Sequence, residues 1–346
     1  MRVLVTGGAG FIGSAFVRYA LTHHRDVHVV TVDALTYAGN LENLEAATGN
    51  PRHRFVHGDI RDAQALAAVF GDEKIDTVVH FAAESHVDRS ILSPDPAIDT
   101  NVRGTGILLE AARAAKVSRF LHVSTDEVYG DVDEPFEADE AFPLRPSSPY
   151  AASKAGSDLL ALAYVRTYGL PVIVTRASNN YGPFQFPEKL IPLMIANAMD
   201  GTPLPVYGDG LQVRDWLYVD DHCRALWAVL HHGTVGEVYN VAGACHLPNI
   251  EVIRRVLQIV GAPDTLITPV ADRPGHDRRY ALRGDKIARD TGFTPLVPFD
   301  DGLAQTVRWY QENTAWIRRV RSGEYRQYYA ENYAWRDRVA DATVPD

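Results

Sequence analysis

Four residue types within one short stretch are equipped for proton chemistry. Residues 120–130 read Phe-Leu-His-Val-Ser-Thr-Asp-Glu-Val-Tyr-Gly, an apolar run broken by two hydroxyls and two adjacent carboxylates. If Phe120 to Val123 is a buried strand, Ser124, Thr125, Asp126 and Glu127 stand at its carboxyl end, where open α/β sheets place their chemistry. Further along, Tyr150-Ala-Ala-Ser-Lys154 opens a stretch of helical character that runs to about Tyr168. Residues at i and i+4 share a helix face, so the phenol and the ammonium meet. An adjacent cation stabilises phenolate, which lowers a pKa of about 10 and makes Tyr150 a usable base near neutrality. Taken alone, the acids are a solvated rim and the Tyr–Lys pair a surface pair. Their meaning depends on what else the chain brings to the same place.

The amino terminus supplies that context. Val3 to Thr6 is a β-rich run that enters a glycine cluster and leaves through Phe11, Ile12, Ala15, Phe16 and Tyr19, whose spacing is helical. Gly7, Gly10 and Gly13 fit G-x-x-G-x-x-G, and Gly8, Gly10 and Gly13 fit G-x-G-x-x-G, so the backbone can approach a pyrophosphate held at a helix amino terminus. A second strand, Val27 to Val32, ends in Asp33, about 20 residues beyond Gly13. A carboxylate there accepts from an adenosine ribose and repels a 2'-phosphate, favouring NAD over NADP.

The strands and helices that follow keep the same rhythm. Arg54 to Val56 and Thr77 to Phe81 read as the third and fourth strands, followed by Gly58-Asp59-Ile60 and Ala82-Ala83-Glu84-Ser85-His86. Asp59 and Ile60 suit the edge and face of an adenine, and the small Ala82 and Ala83 suit close passage of a cofactor. Asn101 to Ala115 is a helix, Phe120 to Val123 the fifth strand and Val172 to Thr175 the sixth. This succession predicts an α/β fold, a doubly wound parallel sheet of Rossmann type with a smaller interleaved α/β substrate lobe. The expected division is 1–177 with 216–243 returning to it, against 178–215 and 244–320, with 321–346 a polar C-terminal segment. Asp131 to Pro149 reads as a loop over the site. Val206 to Val219 reads as a hairpin with a Gly-Asp-Gly turn, Asp220 or Asp221 as the cap of the next helix, Asn249 to Val260 as a helix, and Asp300 to Trp309 as the start of a long terminal helix.

Composition narrows the function. With 46% apolar and 23% charged residues in 346, the chain is globular, and its net charge of -10 with no basic stripe speaks against nucleic acid. The first strand starts at Arg2, so no secretory signal is expected, and no run approaches the roughly 18 apolar residues of a membrane span. The expected location is the cytoplasm. Cys223 and Cys245 are expected to remain thiols. His23-His24 and His231-His232 have no cysteine nearby, and no metal site is expected.

The combination Thr-Gly-Gly-Ala-Gly-Phe-Ile-Gly, Asp33, Ser124-Thr125 and Tyr150-x-x-x-Lys154 resembles the extended short-chain dehydrogenase/reductases, which act on nucleotide sugars. Asp126-Glu127, Asp33-Ala-Leu-Thr-Tyr-Ala-Gly-Asn-Leu41, Ala82-Ala-Glu-Ser-His-Val-Asp-Arg-Ser90, Ser178-Asn-Asn-Tyr-Gly-Pro183, Arg214-Asp-Trp-Leu-Tyr-Val219 and Asp272-Arg-Pro-Gly-His276 narrow the likeness to the dTDP-glucose 4,6-dehydratase family, across residues 1 to about 320. The resemblance implies NAD bound by Gly7, Gly10, Phe11, Ile12, Gly13, Asp33, Asp59, Ile60, Ala82, Ala83, Tyr150, Lys154 and Asn180. It implies that Tyr150, helped by Thr125 and Lys154, removes the O4 proton, that Glu127 takes the C5 proton, and that protonated Asp126 donates to the departing O6. Ser85, His86, Thr125, Asn179, Lys189, Leu190, Pro205, Tyr207, Arg214, Asn249, Arg273 and His276 would hold dTDP-glucose. A homodimer through helices 101–115 and 150–168 is implied as well. The alternatives are a UDP-sugar 4-epimerase, a GDP-mannose 4,6-dehydratase and, more remotely, an inactive NAD-sensing regulator. An epimerase needs no acid pair.

Overall fold

The computed structural model describes residues 1–322; most of the expected polar C-terminal segment lies outside them. The chain runs β1 (Arg2–Thr6), α1 (Phe11–His23), β2 (His28–Asp33), β3 (His53–His57), α2 (Ala63–Glu73) and β4 (Thr77–His80). Then come α3 (Val87–Leu92), α4 (Asp95–Ile98), a wide turn at Asp99–Gly104, α5 (Thr105–Ala115), β5 (Arg119–Thr125), α6 (Pro149–Tyr168) and β6 (Val172–Ala177). After these the path leaves the first sheet through β7 (Asn179–Tyr181), α7 (Leu190–Asp200), β8 (Leu204–Tyr207) and β9 (Val213–Tyr218). It returns with α8 (Val219–His232) and β10 (Val238–Val241) and leaves again through β11 (His246–Pro248), α9 (Asn249–Val260) and β12 (Ile267–Val270). The last described elements are α10 (Asp285–Thr291), α11 (Phe299–Glu312) and α12 (Thr314–Arg321).

Among the described residues, seven strands form one parallel sheet in the order β10-β6-β5-β4-β1-β2-β3. Successive side chains of a strand point to opposite faces, and the β1 sequence shows the consequence. Val3 and Val5 pack with Phe16, Val17, Leu226 and Val229 from α1 and α8, while Leu4 packs on the other face with Leu66, Leu108 and Ala161 from α2, α5 and α6. Both faces are covered, which is why these strands read as nearly continuous apolar runs. From β1 the chain builds outward to β2 and β3, then crosses back to β4. That reversal opens a crevice between the carboxyl ends of β1 and β4, the place where sheets of this kind bind ligands.

The second lobe has a three-stranded sheet, β11-β9-β7, and a two-stranded one, β12-β8. Its core joins Ile191 and Ile195 of α7, Trp216 of β9, Val252, Ile253 and Val256 of α9, and Leu303, Val307 and Tyr310 of α11.

Four local expectations fail. The Val206–Val219 stretch is not a hairpin. Gly208 and Gly210 turn the chain with φ of 58° and 71°, but β8 pairs in parallel with β12, and β9 pairs with β11 and β7. The start of α9 takes the carbonyls that a hairpin would have used, with Ile250 N–H on Gly210 O and Asn249 N–H on Gln212 O, both 2.9 Å. Neither Asp220 nor Asp221 caps α8, which begins without a side-chain cap. Asp221 instead accepts from the backbone N–H of Leu296 and Val297, each at 2.8 Å. The terminal helix is broken at Asn313, and α12 returns Trp316 to the first lobe, where its Nε1 donates to Asn43 Oδ1 at 3.2 Å. Finally, the loop 131–149 packs along residues 279–283, with Val132 N–H on Arg279 O at 3.0 Å and Ala138 N–H on Ala281 O at 2.9 Å. None of its residues lines the cavities described next.

Candidate active site

The crevice between β1 and β4 is the end of a groove of about 360 Å³ that continues past the end of β5. Its floor is glycine for steric reasons. Gly7 has φ of 68°, and a Cβ there would stand 2.6 Å from Ala82 N; a Cβ on Gly13 would run into the carbonyl oxygen of Gly7. The backbone of the β1–α1 turn and the Ala82–Ala83 segment are thus brought together across the sheet. α1 starts at Gly10 without a side-chain cap, leaving its first N–H groups available to an anion. Gly10, Phe11, Ile12, Asp59, Ile60, Ala83, Ser85, Asn179 and Asn180 line the same groove. At one end Asp33 is held by the N–H groups of Ala9 (2.9 Å) and Leu35 (2.8 Å), and burial raises its pKa against these bonds. The glycine cradle, the bare helix end and this carboxylate fit a dinucleotide.

At the other end stand the proton-bearing groups. β5 runs two residues further than its apolar pattern, to Thr125, and a 3-10 turn, Asp126–Tyr129, follows. Thr125 caps that turn, its Oγ1 accepting from Glu127 N at 3.3 Å and donating to Asp126 Oδ1 at 3.2 Å. Asp126 is 3% exposed, and its Oδ2 has no hydrogen-bond partner among the described residues. Burial, then the charges of Glu127 and Asp215, push its pKa well above the usual carboxylate range. Glu127 is raised by burial too, but Arg273, Lys189 and Arg214 oppose the rise. Of the pair, Asp126 is the one that keeps its proton.

The Tyr150–Lys154 pairing differs from its expected form. Lys154 Nζ donates to the carbonyl oxygen of Val123 at 2.8 Å. Burial lowers its pKa to about 8, with Asp158 pulling the other way. The Tyr150 phenol hydrogen-bonds Thr125, yet burial and the nearby Glu127 and Asp126 raise its pKa far above the ordinary value. The expected lowering by Lys154 is overturned because burial disfavours the phenolate first, the neighbouring acids add to it, and the Lys154 ammonium is turned to the Val123 carbonyl. Asp158, fully buried one helical turn from Lys154, is itself held by Arg176 Nε at 2.9 Å.

A second cavity, of about 160 Å³, shares Glu127, Asn179, Glu188, Lys189, Leu190 and Trp216 with the first. His86, Pro205, Tyr207, Arg214, Asn249, Arg273 and His276 complete much of its wall. Arg214 lies over the Tyr280 ring at 4.2 Å and donates to Asp277 O at 3.0 Å; Arg273 pairs with Asp88 at 3.0 Å; Lys189 donates to Ser85 O at 2.7 Å. Arg214, Arg273 and Lys189 line this cavity together with Asp88, Glu127 and Glu188, and the three cations are the groups there able to pair with a diphosphate. Asn179 Oδ1 and Asn249 Oδ1 are buried without a partner among the described residues.

The residues that the resemblance assigns to catalysis, NAD or the sugar nucleotide line one cavity or the other, whereas Gly8 of the glycine motif lines neither. Sequence reasoning missed Glu188, Tyr37, Asn101 and Tyr280. Burial pushes the Glu188 pKa up to about 7. Asn101 joins three segments, its side chain bonding Glu84 N (2.8 Å), Glu84 O (3.0 Å) and Ser153 Oγ (2.8 Å). Glu188 adjoins Lys189 and Tyr280 ends the Asp272 cluster, so proximity in sequence was a usable signal for both; Tyr37 and Asn101 carried none beyond their place in a loop and a helix. The paired histidines pack as rings, His24 stacking on Trp227 at 3.7 Å, and no metal-binding cluster occurs among the described residues. No helix among them is long and apolar enough to cross a membrane.

Comparison with known proteins places this geometry. The profile of the family described as GDP-mannose 4,6 dehydratase matches residues 4–306. The chain is 51% identical to a dTDP-glucose 4,6-dehydratase of Shigella flexneri, with 97% of this chain and 100% of that one covered. It is 54% identical to one of Neisseria meningitidis, covering 94% and 97%. The dTDP-glucose 4,6-dehydratase DesIV of Streptomyces venezuelae, solved with NAD and dTDP bound, superposes with a TM-score of 0.90 at 55% identity, covering 92% of this chain and 100% of that one. A UDP-glucose 4-epimerase of Thermus thermophilus in complex with NAD superposes at 0.84 with 33% identity, covering 90% and 100%.

Proposed function

The chain belongs to the nucleotide-sugar 4,6-dehydratases of the extended short-chain dehydrogenase/reductases, in their dTDP-glucose branch, and from that premise we propose that it converts dTDP-glucose into dTDP-4-keto-6-deoxyglucose with NAD as resident cofactor. The single observation that carries the reading beyond the family is the unequal acid pair at the end of β5, which an epimerase has no use for. When bound, NAD supplies a hydride acceptor for C4 and a hydride donor for C6. Gly7, Gly10, Gly13, Asp33, Asp59, Ile60, Ala82, Ala83 and Asn180 would hold it, with Tyr150 and Lys154 at its reacting end.

The chain's own groups handle the protons. Tyr150, hydrogen-bonded to Thr125, takes the proton of the C4 hydroxyl. With Asp126 protonated, one of the two negative charges opposing phenolate is absent, and Lys154, with a pKa of about 8, is mostly charged at pH 7. The 4-keto group acidifies C5–H, which Glu127 removes, while Asp126 donates its proton to the departing O6 so that water rather than hydroxide leaves. Glu127 then returns a proton to C5. Acid and base are separated by environment rather than by residue type. Arg214, Arg273 and Lys189 would take the diphosphate, and Asn179 and Asn249 would find the partners that the protein does not give them.

The seven-stranded sheet, which leaves with β6 at Ala177 and takes the chain back with β10, supports a division at 177/178 and a return to the cofactor lobe, but β9 pairs within the second lobe, so the return starts with α8 at Val219 and not at 216. Exposed apolar side chains at Leu159 and Tyr168 of α6, with Ile98 just ahead of the other segment, support a homodimer through 101–115 and 150–168; light scattering giving the monomer mass would reject it. Two free cysteines fit a cytoplasmic location. The test of the activity is incubation with dTDP-, UDP- and GDP-hexoses. Alkali-chromogenic 4-keto-6-deoxy product is expected from dTDP-glucose, and a C4 epimer without water loss would reject the reading.

A further inference from the structure

We propose that Tyr37 is a clasp that keeps the dinucleotide in its groove between turnovers, an inference that rests on the cofactor reading above. The loop between β2 and residue 41 forms one rim of the groove, with Asp33, Ala34, Thr36, Ala38 and Gly39 on its lining. Tyr37 is absent from that lining because its side chain points across to the other lobe. Its hydroxyl donates to Glu188 Oε1 at 3.1 Å and also hydrogen-bonds the Ser85 side chain. The Arg89 guanidinium lies over its ring at 3.9 Å, and Phe186 meets it edge-on at 5.7 Å and 90°.

The placement of these partners gives the contact its function. Phe186 and Glu188 themselves line the opposite rim of the groove, and Ser85 belongs to the segment after β4. One ring therefore ties together three segments that surround the bound cofactor. The tie reaches the cofactor's own ligands: a Cβ at Gly39 would stand 2.7 Å from Asp33 Oδ1, so the loop rests directly on the carboxylate that faces the ribose. Letting the dinucleotide out requires the rim to part, and parting the rim breaks the contacts of Tyr37. A phenol can donate to a neutral or an ionised carboxyl, more strongly to the ionised one, so the contact exists in either protonation state of Glu188 and is tighter when Glu188 is charged. The clasp suits a reaction that returns its cofactor to the starting state, since exchange in mid-cycle would strand the sugar half-processed.

The test uses the full chain loaded with labelled NAD and chased with unlabelled NAD, reading the release rate and the NAD retained after dialysis. Tyr37→Phe, which keeps the ring and loses the hydroxyl, is expected to release NAD about 10-fold faster, the effect of about one buried hydrogen bond. Tyr37→Ala, losing the ring contacts as well, is expected to release faster still, by about another 10-fold. Global unfolding breaks the same hydrogen bond, so the urea midpoint of the Phe variant in the absence of added NAD is expected to fall slightly, by no more than that one bond accounts for. Both variants releasing NAD at the wild-type rate would overturn the clasp alone, as would a larger loss of global stability, which would mark the faster release as unfolding. Failure of the wild-type chain to bind NAD would overturn both the clasp and the cofactor reading beneath it.

Discussion

Asp126 and Glu127 are adjacent in the chain and sit in unequal electrostatic settings. Burial raises the pKa of both, but Asp126 has Glu127 and Asp215 adding to the rise against Arg214 and a Thr125 hydrogen bond, whereas Glu127 has Arg273, Lys189 and Arg214 opposing it and Asp277 adding to it. The inequality is what an acid and base pair needs near neutrality: one carboxyl that holds a proton and one that accepts it.

Replacing either acid should stall the reaction after oxidation. Asp126→Asn and Glu127→Gln are expected to lower turnover by about 10² to 10⁴ while substrate still produces the near-ultraviolet absorbance of reduced nicotinamide. If that absorbance is lost to the same degree as product in both variants, the division of labour is wrong.

Tyr150→Phe should fail earlier. The phenol is the group placed to take the O4 proton, so no reduced nicotinamide should accumulate with dTDP-glucose, and turnover should fall by about 10² to 10⁴. Normal accumulation in this variant would remove Tyr150 from the role.

Lys154 links activity and stability through one pKa. Activity is expected to fall as pH rises through about 8, where the ammonium is lost, and on the acid side as Glu127 gains a proton below its raised pKa. Stability moves the other way. Because the folded pKa lies below that of the unfolded chain, the unfolded state binds more protons from about pH 8 to the ordinary lysine range, and this group's contribution to stability rises with pH across that window. Lys154→Met should abolish activity, raise the thermal midpoint at pH 7 by a few degrees and remove this part of the pH dependence. A lowered midpoint at pH 7 would show that the hydrogen bond to Val123 outweighs the cost of burying the charge.

Gly13→Ala tests the cradle. Its Cβ would press on the backbone of Gly7, so a destabilisation of about 1 to 3 kcal/mol and loss of retained NAD are expected. Calorimetry and the NAD content of the purified variant measure the two effects.

Local signals carried most of the fold and site. β1 and its glycines, Asp33 and the end of β5 are readable because each depends on neighbours within a few residues. What could not be read depends on distant partners. The Val206–Val219 stretch has the turn chemistry of a hairpin, but β8 pairs with β12, some sixty residues on, and β9 with β7 and β11. Tyr150 stands on the helix face of Lys154, yet its pKa is raised first by burial and then by acids on another element. Tyr37 meets Glu188 across 151 positions of sequence, and no periodicity announces such a pair.

The most direct measurement follows one atom. With dTDP-glucose carrying deuterium at C4, in ordinary water, the proposed reaction is expected to give product carrying that deuterium at C6. Deuterium lost to solvent, or found again at C4 of an unopened hexose with its C6 hydroxyl intact, would contradict it.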